Sequence, residues 1–351
     1  MSKVLMKGNE AIAEAAIAAG CVYFFGYPIT PQTEVAEYMA KRLPKVGGLC
    51  LQAESEVAAI NMLMGASAGG TRAMTSSSSP GVSLKSEGIS YIAGCDLPCL
   101  VVNVQRGGPG LGGIQPSQQD YYQATRGVGH GDLRLIVLAP SSVQEMASLT
   151  AEAFDLADAY RMPAMLLADG ALGQMMEPVD FSVFPKRELP EKTWATNGTK
   201  GQRKKNIVNS LFIDPNELEN SIRARYERYA KVEENEVRCE EYMTDDADII
   251  LVAFGITARI AKSAIADMRK TGIKAGLLRP ITLWPFPKKK LAELADTAKV
   301  FLSVEMSMGQ MVDDVRLAVG GKRPVHFFGR TGGIIPSVEE VAEEIRKLAE
   351  A

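Results

Sequence analysis

The sequence predicts an α/β protein whose strands form parallel sheets. Strand-like runs alternate with helix-like segments over the first half of the 351-residue chain, and three of the runs, at residues 97–104, 133–138 and 162–167, are predominantly apolar. Such strands are typical of parallel sheets that helices cover on both faces, and the alternation itself favours a parallel α/β arrangement. The alternation resumes at Asp248 after a polar stretch, which predicts a second, smaller α/β domain.

Local signals identify the elements of the first domain. Gly20 ends an alanine-rich helix. Thr30 followed by Pro31 predicts a helix start, because threonine caps helices and proline suits the first helical position. In chain order we expect a helix at 9–19, a strand at 22–25, a helix from residue 30, a strand at 48–52, a helix at 55–68, a strand at 73–76, a helix at 82–93, strands at 97–104 and 133–138, a helix at 142–160 and a strand at 162–167.

The pattern changes near residue 184. Residues 216–243 carry dense mixed charge, which is typical of a solvent-facing connecting helix, with a partner-binding face as the alternative. We therefore expect an α/β domain at 1–184, a polar linker with a charged helix at 185–246, and a second α/β domain at 247–351. That last part is predicted to hold strands at 249–254, 274–278, 300–304 and 325–328, and helices at 258–270, 309–319 and 338–348.

Composition argues against several classes of protein. With 39 basic and 42 acidic residues the formal net charge is −3, so the clustered basic charge of a nucleic-acid-binding surface is not expected. The five cysteines form no Cys-x-x-Cys pair, which argues against a disulfide framework or a zinc or iron–sulfur site on this chain. Neither a signal peptide nor an apolar run near the ~18 residues of a membrane span is visible. We expect a cytoplasmic protein with reduced thiols.

Three residues at the ends of predicted elements offer chemistry: Thr30 after the first strand, Glu56 at the start of a helix, and Arg106 after the strand at 97–104. Open α/β sheets bind ligands at the carboxyl ends of their strands. There a helix start favours an anion, and a guanidinium grips a carboxylate with two bonds. Apolar neighbours favour a neutral Glu56, which suits a proton shared with a ring nitrogen. Each residue also has a purely structural alternative. Thr30 would cap a helix, Glu56 would complement the helix dipole, and Arg106 would form an ion pair with an acidic neighbour.

Other motifs carry less weight. Gly108, Gly110 and Gly113 match the spacing of a dinucleotide-binding loop, but Pro109 and Pro116 do not suit one. A P-loop sequence is absent, and the two histidines are far apart in the sequence, so no metal site is predicted. A nicotinamide-linked dehydrogenase that uses this loop, and a non-catalytic scaffold subunit, remain the alternatives from other functional classes.

Four motifs in a fixed order resemble the alpha subunits of 2-oxoacid:ferredoxin oxidoreductases. They are GYPITP at 26–31, the helix region at 52–65, QRGGPG at 105–110 and LRPITLWPFP at 278–287. The segment GGIQPSQ at 112–118 is most similar to the branched-chain type, which acts on 2-ketoisovalerate (3-methyl-2-oxobutanoate), whereas related chains act on 2-oxoglutarate or pyruvate. The resemblance implies a pyrimidine-binding domain of thiamine diphosphate enzymes followed by a transketolase C-terminal-like domain.

The resemblance also implies how the cofactor is held. Glu56 would be the catalytic residue, bonded to the aminopyrimidine ring of thiamine diphosphate, and Tyr27, Pro28 and Ile29 would contact the cofactor. The chain lacks the sequence beginning Gly-Asp-Gly and ending Asn-Asn with which thiamine enzymes hold magnesium and diphosphate. The resemblance therefore implies a cofactor at the interface with a beta subunit, which would carry Mg²⁺ and a [4Fe-4S] cluster, and no metal on this chain.

The implied reaction is the oxidative decarboxylation of a 2-oxoacid to acyl-coenzyme A and CO2, with reduction of ferredoxin. Thr30 and Arg106 would hold the substrate carboxylate, and the glycine-rich loop at 107–113 would shape the pocket for the substrate side chain. Coenzyme A would be the co-substrate. Gamma and ferredoxin-like delta subunits are further expected partners, while neither nucleic acid nor a membrane is expected.

Overall fold

A computed structural model describes residues 3–184 and 187–350. The predicted α/β class is confirmed, because two sheets of mainly parallel strands are flanked by helices. The strands are β1 (Val4–Lys7), β2 (Tyr23–Gly26), β3 (Leu49–Gln52), β4 (Ala73–Ser77), β5 (Leu100–Gln105), β6 (Ile136–Leu138), β7 (Ala164–Asp169), β8 (Met176–Val179), β9 (Cys239–Tyr242), β10 (Ile249–Val252), β11 (Ala275–Pro280), β12 (Thr282–Trp284), β13 (Val300–Glu305) and β14 (Val325–Gly329). The helices are α1 (Gly8–Ala18), α2 (Thr33–Arg42), α3 (Glu56–Ala68), α4 (Ser79–Gly94), α5 (Val143–Tyr160), α6 (Gly170–Gln174), α7 (Pro215–Asn235), α8 (Gly255–Lys270), α9 (Lys288–Thr297), α10 (Met311–Val319) and α11 (Val338–Glu350). Within the described ranges, no helix has the length and apolar character needed to cross a membrane.

The larger sheet has seven strands in the order β12-β6-β7-β5-β4-β2-β3. All neighbours are parallel except β12 and β6. The strands β5, β4, β2 and β3 are therefore consecutive and point the same way, so their carboxyl ends meet at one edge. The segments that follow β2, β3 and β5 carry the predicted site residues.

The elements predicted for the first domain are confirmed, with boundaries that agree to within three residues. The predicted helix cap at Thr30 is wrong, however, because α2 begins at Thr33. Residues 29–32 form a turn before it, and the Pro31 carbonyl accepts a hydrogen bond from Asn9 Nδ2 (2.8 Å) rather than entering the helix. Thr30 therefore lies in the loop that follows β2.

The charged helix of the predicted linker is α7, and one of its faces is packed. Arg225 is buried, and its guanidinium donates to Asp96 Oδ1 (2.9 Å) and to the Gly94 carbonyl (3.0 Å) at the end of α4. Tyr229 and Val232 lie on the same face and are also buried. The prediction of a solvent-facing helix is therefore wrong for this face, which anchors α7 to the first unit.

The second sheet has five strands in the order β14-β13-β10-β11-β9, and only β9 is antiparallel to its neighbour. The strands and helices predicted for this region are confirmed, whereas β9, β12 and α9 have no counterpart among the predicted elements. Although β12 lies far along the chain, it joins the first sheet beside β6. The division of the chain after residues 184 and 246 stays a prediction.

Buried polar side chains join the two sheets. Gln118 is fully buried, its Nε2 donates to the Phe254 carbonyl (2.7 Å), and its Oε1 accepts from the Met306 amide (3.0 Å). Arg279 on β11 donates to both carboxylate oxygens of Glu145 on α5 (2.9 and 2.7 Å). Because buried polar groups need partners, these contacts fix how the second sheet packs against the first.

Replacing Gln118 with alanine should lower the free energy of unfolding by about 1–3 kcal/mol, because the Phe254 carbonyl and the Met306 amide would lose a buried partner. Chemical denaturation of the variant and the unaltered chain measures the difference. The control is Gln202→Ala at an exposed position, which should change stability by less than about 0.5 kcal/mol. If Gln118→Ala were as stable as the unaltered chain, Gln118 would not be what joins the sheets.

Candidate active site

The residues that carry chemistry lie at the shared carboxyl edge of the first sheet. Thr30 follows β2, Glu56 follows β3, Ser79 follows β4 and Arg106 follows β5. Because these strands are neighbours, the sheet brings four separate segments of chain to one place, where open α/β sheets bind ligands. The helices α3 and α4 start from the same edge.

Two loops hold the Arg106 side chain. The residue is 9% exposed; its Nη1 donates to the Thr30 carbonyl (3.0 Å) and its Nη2 donates to the Leu111 carbonyl (3.4 Å). Thr30 is itself exposed and meets Arg106 through its main chain rather than its hydroxyl. The Nε–H of Arg106 is buried and has no hydrogen-bond partner among the described residues. The guanidinium therefore has N–H groups left for a ligand.

A buried polar network supports Arg106 from β4 and β5. The Arg106 amide donates to Ser79 Oγ (3.0 Å), and Ser79 Oγ donates to Asp120 Oδ2 (2.6 Å), which also accepts from Asn103 Nδ2 (2.9 Å). Ser79 has a φ of 21°, which is unfavourable for a residue with a side chain, and these bonds hold it there. Burial raises the pKa of Asp120, and the hydrogen bonds from Ser79 and Asn103 oppose that rise.

A cleft of about 650 Å³ opens beside Arg106. Arg106 is the cation in its lining and Asp120 is the acidic residue; Pro80 and Ser83 of α4, residues 107–110 and Gln310 contribute further wall. The volume is within the range of small-molecule sites, in which a few polar groups orient the ligand. The cleft can therefore accept a small organic acid against the guanidinium.

The glycine-rich loop forms one wall of this cleft. The Gly113 amide donates to the Gly107 carbonyl (3.0 Å), and a Cβ at Gly112 would overlap that carbonyl, so the loop closes on itself only with glycine there. Leu111 is 88% exposed and Ile114 is also exposed. The loop follows a strand but opens no helix, so the glycine spacing does not form a dinucleotide-binding turn.

Glu56 is the first residue of α3 and is 7% exposed. Ser55 caps this helix, with its Oγ accepting from the Ala58 amide (3.1 Å). The carboxyl lies against the first turn of α4, because a Cβ added at Gly81 would stand 2.9 Å from Glu56 Oε1 and would overlap Ser77 Oγ. No described residue donates a side-chain or main-chain hydrogen bond to the Glu56 carboxyl. Its oxygens therefore remain available to a ligand.

The other predicted cofactor contacts lie in the loop between β2 and α2. Tyr27 and Pro28 are exposed, and Ile29 is half-buried. Gln32 is fully buried; its Nε2 donates to the Tyr27 carbonyl (3.5 Å), and its Oε1 accepts from Ser76 Oγ on β4. These bonds tie the loop to the sheet and leave its outer side open.

The first turn of α4 stands between the predicted residues. On one side it supports Arg106, which contacts Thr30, and on the other side it faces Glu56. Two residues of the site have no counterpart among the predicted ones: Ser79 and Asp120. The run of four serines at 76–79 is the sequence signal for the first of them, since small polar side chains at a strand end suit a binding site. Over the described ranges, no three His, Cys, Asp or Glu side chains are placed to hold a metal ion.

The fold and the site together define a class of protein. A parallel sheet with a guanidinium and a buried carboxyl at its carboxyl edge, followed by a second α/β unit, is the arrangement that the thiamine diphosphate resemblance implies. The structure superimposes on a split-gene transketolase, described as an inactive beta4 tetramer, with a TM-score of 0.61 over 97% of each chain. At 14% identity this similarity shows the fold alone.

Two family models match the chain: pyruvate flavodoxin/ferredoxin oxidoreductase, thiamine diphosphate-binding, at residues 14–244, and pyruvate:ferredoxin oxidoreductase core domain II at residues 247–341. The chain therefore belongs to the pyruvate flavodoxin/ferredoxin oxidoreductase family. This confirms the resemblance drawn from the four sequence motifs: the protein is a subunit of a 2-oxoacid:ferredoxin oxidoreductase.

Similar proteins include whole-length relatives. The chain is 51% identical to the ketoisovalerate oxidoreductase subunit VorB of Methanothermobacter thermautotrophicus over 99% of both chains. It is 36% identical to the 2-oxoglutarate synthase subunit KorA of Methanothermobacter marburgensis over 97% of both. A solved 2-oxoglutarate:ferredoxin oxidoreductase from Magnetococcus marinus, with 2-oxoglutarate, coenzyme A and succinyl-CoA bound, is 30% identical with a TM-score of 0.90. That match covers 99% of this chain and 65% of the longer chain in that structure.

Proposed function

We propose that the chain is the alpha subunit of an enzyme that oxidatively decarboxylates 2-ketoisovalerate (3-methyl-2-oxobutanoate) to acyl-coenzyme A and CO2 and reduces ferredoxin. The assignment of this substrate is supported by the 51% identity with the ketoisovalerate oxidoreductase subunit over 99% of both chains. The identity with the 2-oxoglutarate synthase subunit is 36%. The same chemistry on 2-oxoglutarate or pyruvate is the alternative, and the 2-oxoglutarate bound in the 30% identical structure supports it.

In this proposal Arg106 binds the carboxylate of the 2-oxoacid. Its position in the cleft lining and its unpartnered Nε–H support the role, because a guanidinium and a carboxylate pair through two bonds. Thr30 orients Arg106 through its carbonyl, and its hydroxyl adds a second donor to the carboxylate. The exposed Leu111 and Ile114 of the glycine-rich loop offer apolar surface that suits a branched side chain.

The Glu56 side of the site suits the ring of thiamine diphosphate. Its carboxyl oxygens are nearly buried and free of protein donors, and Gly81 keeps the space against them clear of a side chain. When bound, thiamine diphosphate supplies the nucleophilic carbon and the electron sink for decarboxylation. Glu56 holds and shares the proton at the ring nitrogen of the aminopyrimidine, and the loop of Tyr27, Pro28 and Ile29 packs against the cofactor.

A beta subunit provides the other half of the site in this proposal. The elements around the site expose large apolar side chains, among them Tyr27, Val57, Leu84 and Leu111, and exposed apolar surface of this kind marks protein–protein contacts. The beta subunit would hold the diphosphate, Mg²⁺ and a [4Fe-4S] cluster. Gamma and ferredoxin-like delta subunits would be further partners. Coenzyme A would be the co-substrate and ferredoxin the electron acceptor, and the reaction would take place in the cytoplasm.

A panel of 2-oxoacids tests the proposed substrate. Cluster reduction is measured in the complex with its partner subunits and coenzyme A. The kcat/KM for 2-ketoisovalerate should be at least about tenfold above that for pyruvate, because each additional methyl group in an apolar pocket contributes roughly 1–3 kcal/mol. 2-Oxoglutarate should be poorer still, because its second carboxylate would be buried without a partner. A higher kcat/KM for 2-oxoglutarate or pyruvate would contradict the assignment.

Glu56→Gln should slow exchange of the thiazolium proton of bound thiamine diphosphate by about 100- to 10,000-fold, the usual contribution of a positioned acid–base group. Assembly of the complex should be unchanged, because glutamine has the same shape. Quenched hydrogen–deuterium exchange read by NMR measures the rate, and gel filtration measures assembly. The matched control is Glu54→Gln, two residues away and exposed. Normal exchange in Glu56→Gln would contradict the catalytic role and favour a scaffold subunit.

Arg106→Lys should lower kcat/KM about ten- to hundredfold for every 2-oxoacid, because a lost hydrogen bond to a charged group is worth roughly 1.5–3 kcal/mol. Lysine keeps the charge but not the planar fork. Thr30→Val should act in the same direction and more weakly. Steady-state cluster reduction measures both, with Arg223→Lys on the exposed face of α7 as the control. An effect confined to one 2-oxoacid would instead place Arg106 in the pocket for the substrate side chain.

A further inference from the structure

Lys85 on α4 carries a buried amine without a hydrogen-bond partner. The residue is fully buried, and its Nζ donates to no described residue. Lysine is rarely buried completely unless it is paired, because removing an ammonium group from water without compensation is costly. Lys85 also lies outside the lining of the cleft beside Arg106. Simple packing does not account for a lysine at this position, since an apolar side chain would fill the space at lower cost.

The position of Lys85 is the contact between α3 and α4. Gly81, Lys85 and Gly88 are spaced i, i+4 and i+7, so they share one face of α4. A Cβ at Gly81 would stand 2.9 Å from Glu56 Oε1, and a Cβ at Gly88 would overlap Ile60, one turn further along α3. The Lys85 side chain therefore leaves α4 between the two points where the helices touch, on the face that meets Glu56.

Glu56 is the charged group available to this amine. α4 packs against α3, β5 and the segment at 120–130; α3 contains no other ionisable residue and β5 contains none. In the third, Asp120 and His130 bond Ser79 and Ser90, which lie on other faces of α4 than Lys85. Within α4, Glu87 and Tyr91 bond each other at the surface. Burial lowers the pKa of Lys85 to about 8, and the charge of Glu56 opposes that fall. The two groups form no direct ion pair in the described structure, so the interaction acts across the helix contact.

We propose that Lys85 is a positioning residue that sets the charge of Glu56: its buried amine compensates the Glu56 carboxylate and fixes the pH range in which Glu56 shares a proton with the cofactor ring. The inference rests on the proposed role of Glu56. Because an opposite charge favours the ionised carboxyl, a protonated Lys85 moves the shared proton from Glu56 toward the ring nitrogen. A neutral Lys85 leaves the carboxyl without this compensation.

Lys85→Met tests the buried amine in the full chain without any cofactor. The pKa of lysine is near 10.5 in an unfolded chain, and that of Lys85 is about 8 in the folded chain. Between these pH values unfolding therefore takes up a proton, so the free energy of unfolding falls as the pH falls from about 10.5 to about 8. Methionine has a similar shape and no charge. Lys85→Met should therefore lack this pH dependence and be more stable than the unaltered chain at pH 7, whereas exposed Lys289→Met should leave the profile unchanged.

The complex with bound thiamine diphosphate tests the link to Glu56. Lys85→Met should move the acid limb of the pH profile for thiazolium-proton exchange upward by about one unit, the lower end of what a nearby opposite charge contributes. Exchange below that limb should be about tenfold slower. In the reciprocal test, ¹⁵N NMR of Lys85 Nζ in the chain should show a lower pKa in Glu56→Gln, because the charge that opposes the fall is removed.

These outcomes separate the two proposals. Normal proton exchange in Glu56→Gln overturns the role of Glu56 itself. Slow exchange in Glu56→Gln together with an unshifted profile in Lys85→Met overturns only the role of Lys85, as does a Lys85→Met chain that is less stable at every pH. If Lys85→Met does not fold, Lys85→Gln gives the same comparison. A titration of Lys85 near 10.5 in the unaltered chain, unaffected by Glu56→Gln, also overturns it.

Discussion

The first turn of α4 packs directly against the Glu56 carboxyl, and this contact requires glycine at residue 81. Any side chain there would overlap Ser77 Oγ and stand within 2.9 Å of Glu56 Oε1. Gly88 allows the same close approach two turns further along the same face of α4, against Ile60. Because α3 and α4 are this close, the Glu56 carboxyl at the start of α3 lies against the face of α4 that also carries the buried Lys85.

The same turn of α4 also determines where the guanidinium lies. Ser79 accepts the Arg106 amide and donates to Asp120, which accepts a second bond from Asn103. Buried polar networks of this kind rigidify a site when every member has a partner. Arg106 is therefore fixed at its backbone and lines the cleft, while its buried Nε–H has no partner among the described residues. A rigid support with a free donor is what recognition of a carboxylate needs.

Local sequence signals were enough to place Thr30, Glu56 and Arg106 at the ends of strands, because each follows a strand-like segment of the sequence. The missed features depend on contacts between distant residues. Ser79 bonds Asp120, 41 positions away. Likewise β12 joins the first sheet from the far end of the chain. The cap expected at Thr30 failed for the same reason, since a side chain from α1 takes the carbonyl that would have entered the helix. Periodicity and capping rules describe neighbours along the chain and contain no information on such pairs.

In the proposed enzyme, this chain provides the half of the site that binds the substrate carboxylate and the cofactor ring. A partner subunit provides the half that binds the diphosphate. The most direct test is a calorimetric titration of thiamine diphosphate with Mg²⁺ into the chain alone and into the chain with its beta subunit. Our account predicts no measurable binding to the chain alone at micromolar concentrations and tight binding to the complex. Micromolar binding to the chain alone would contradict it.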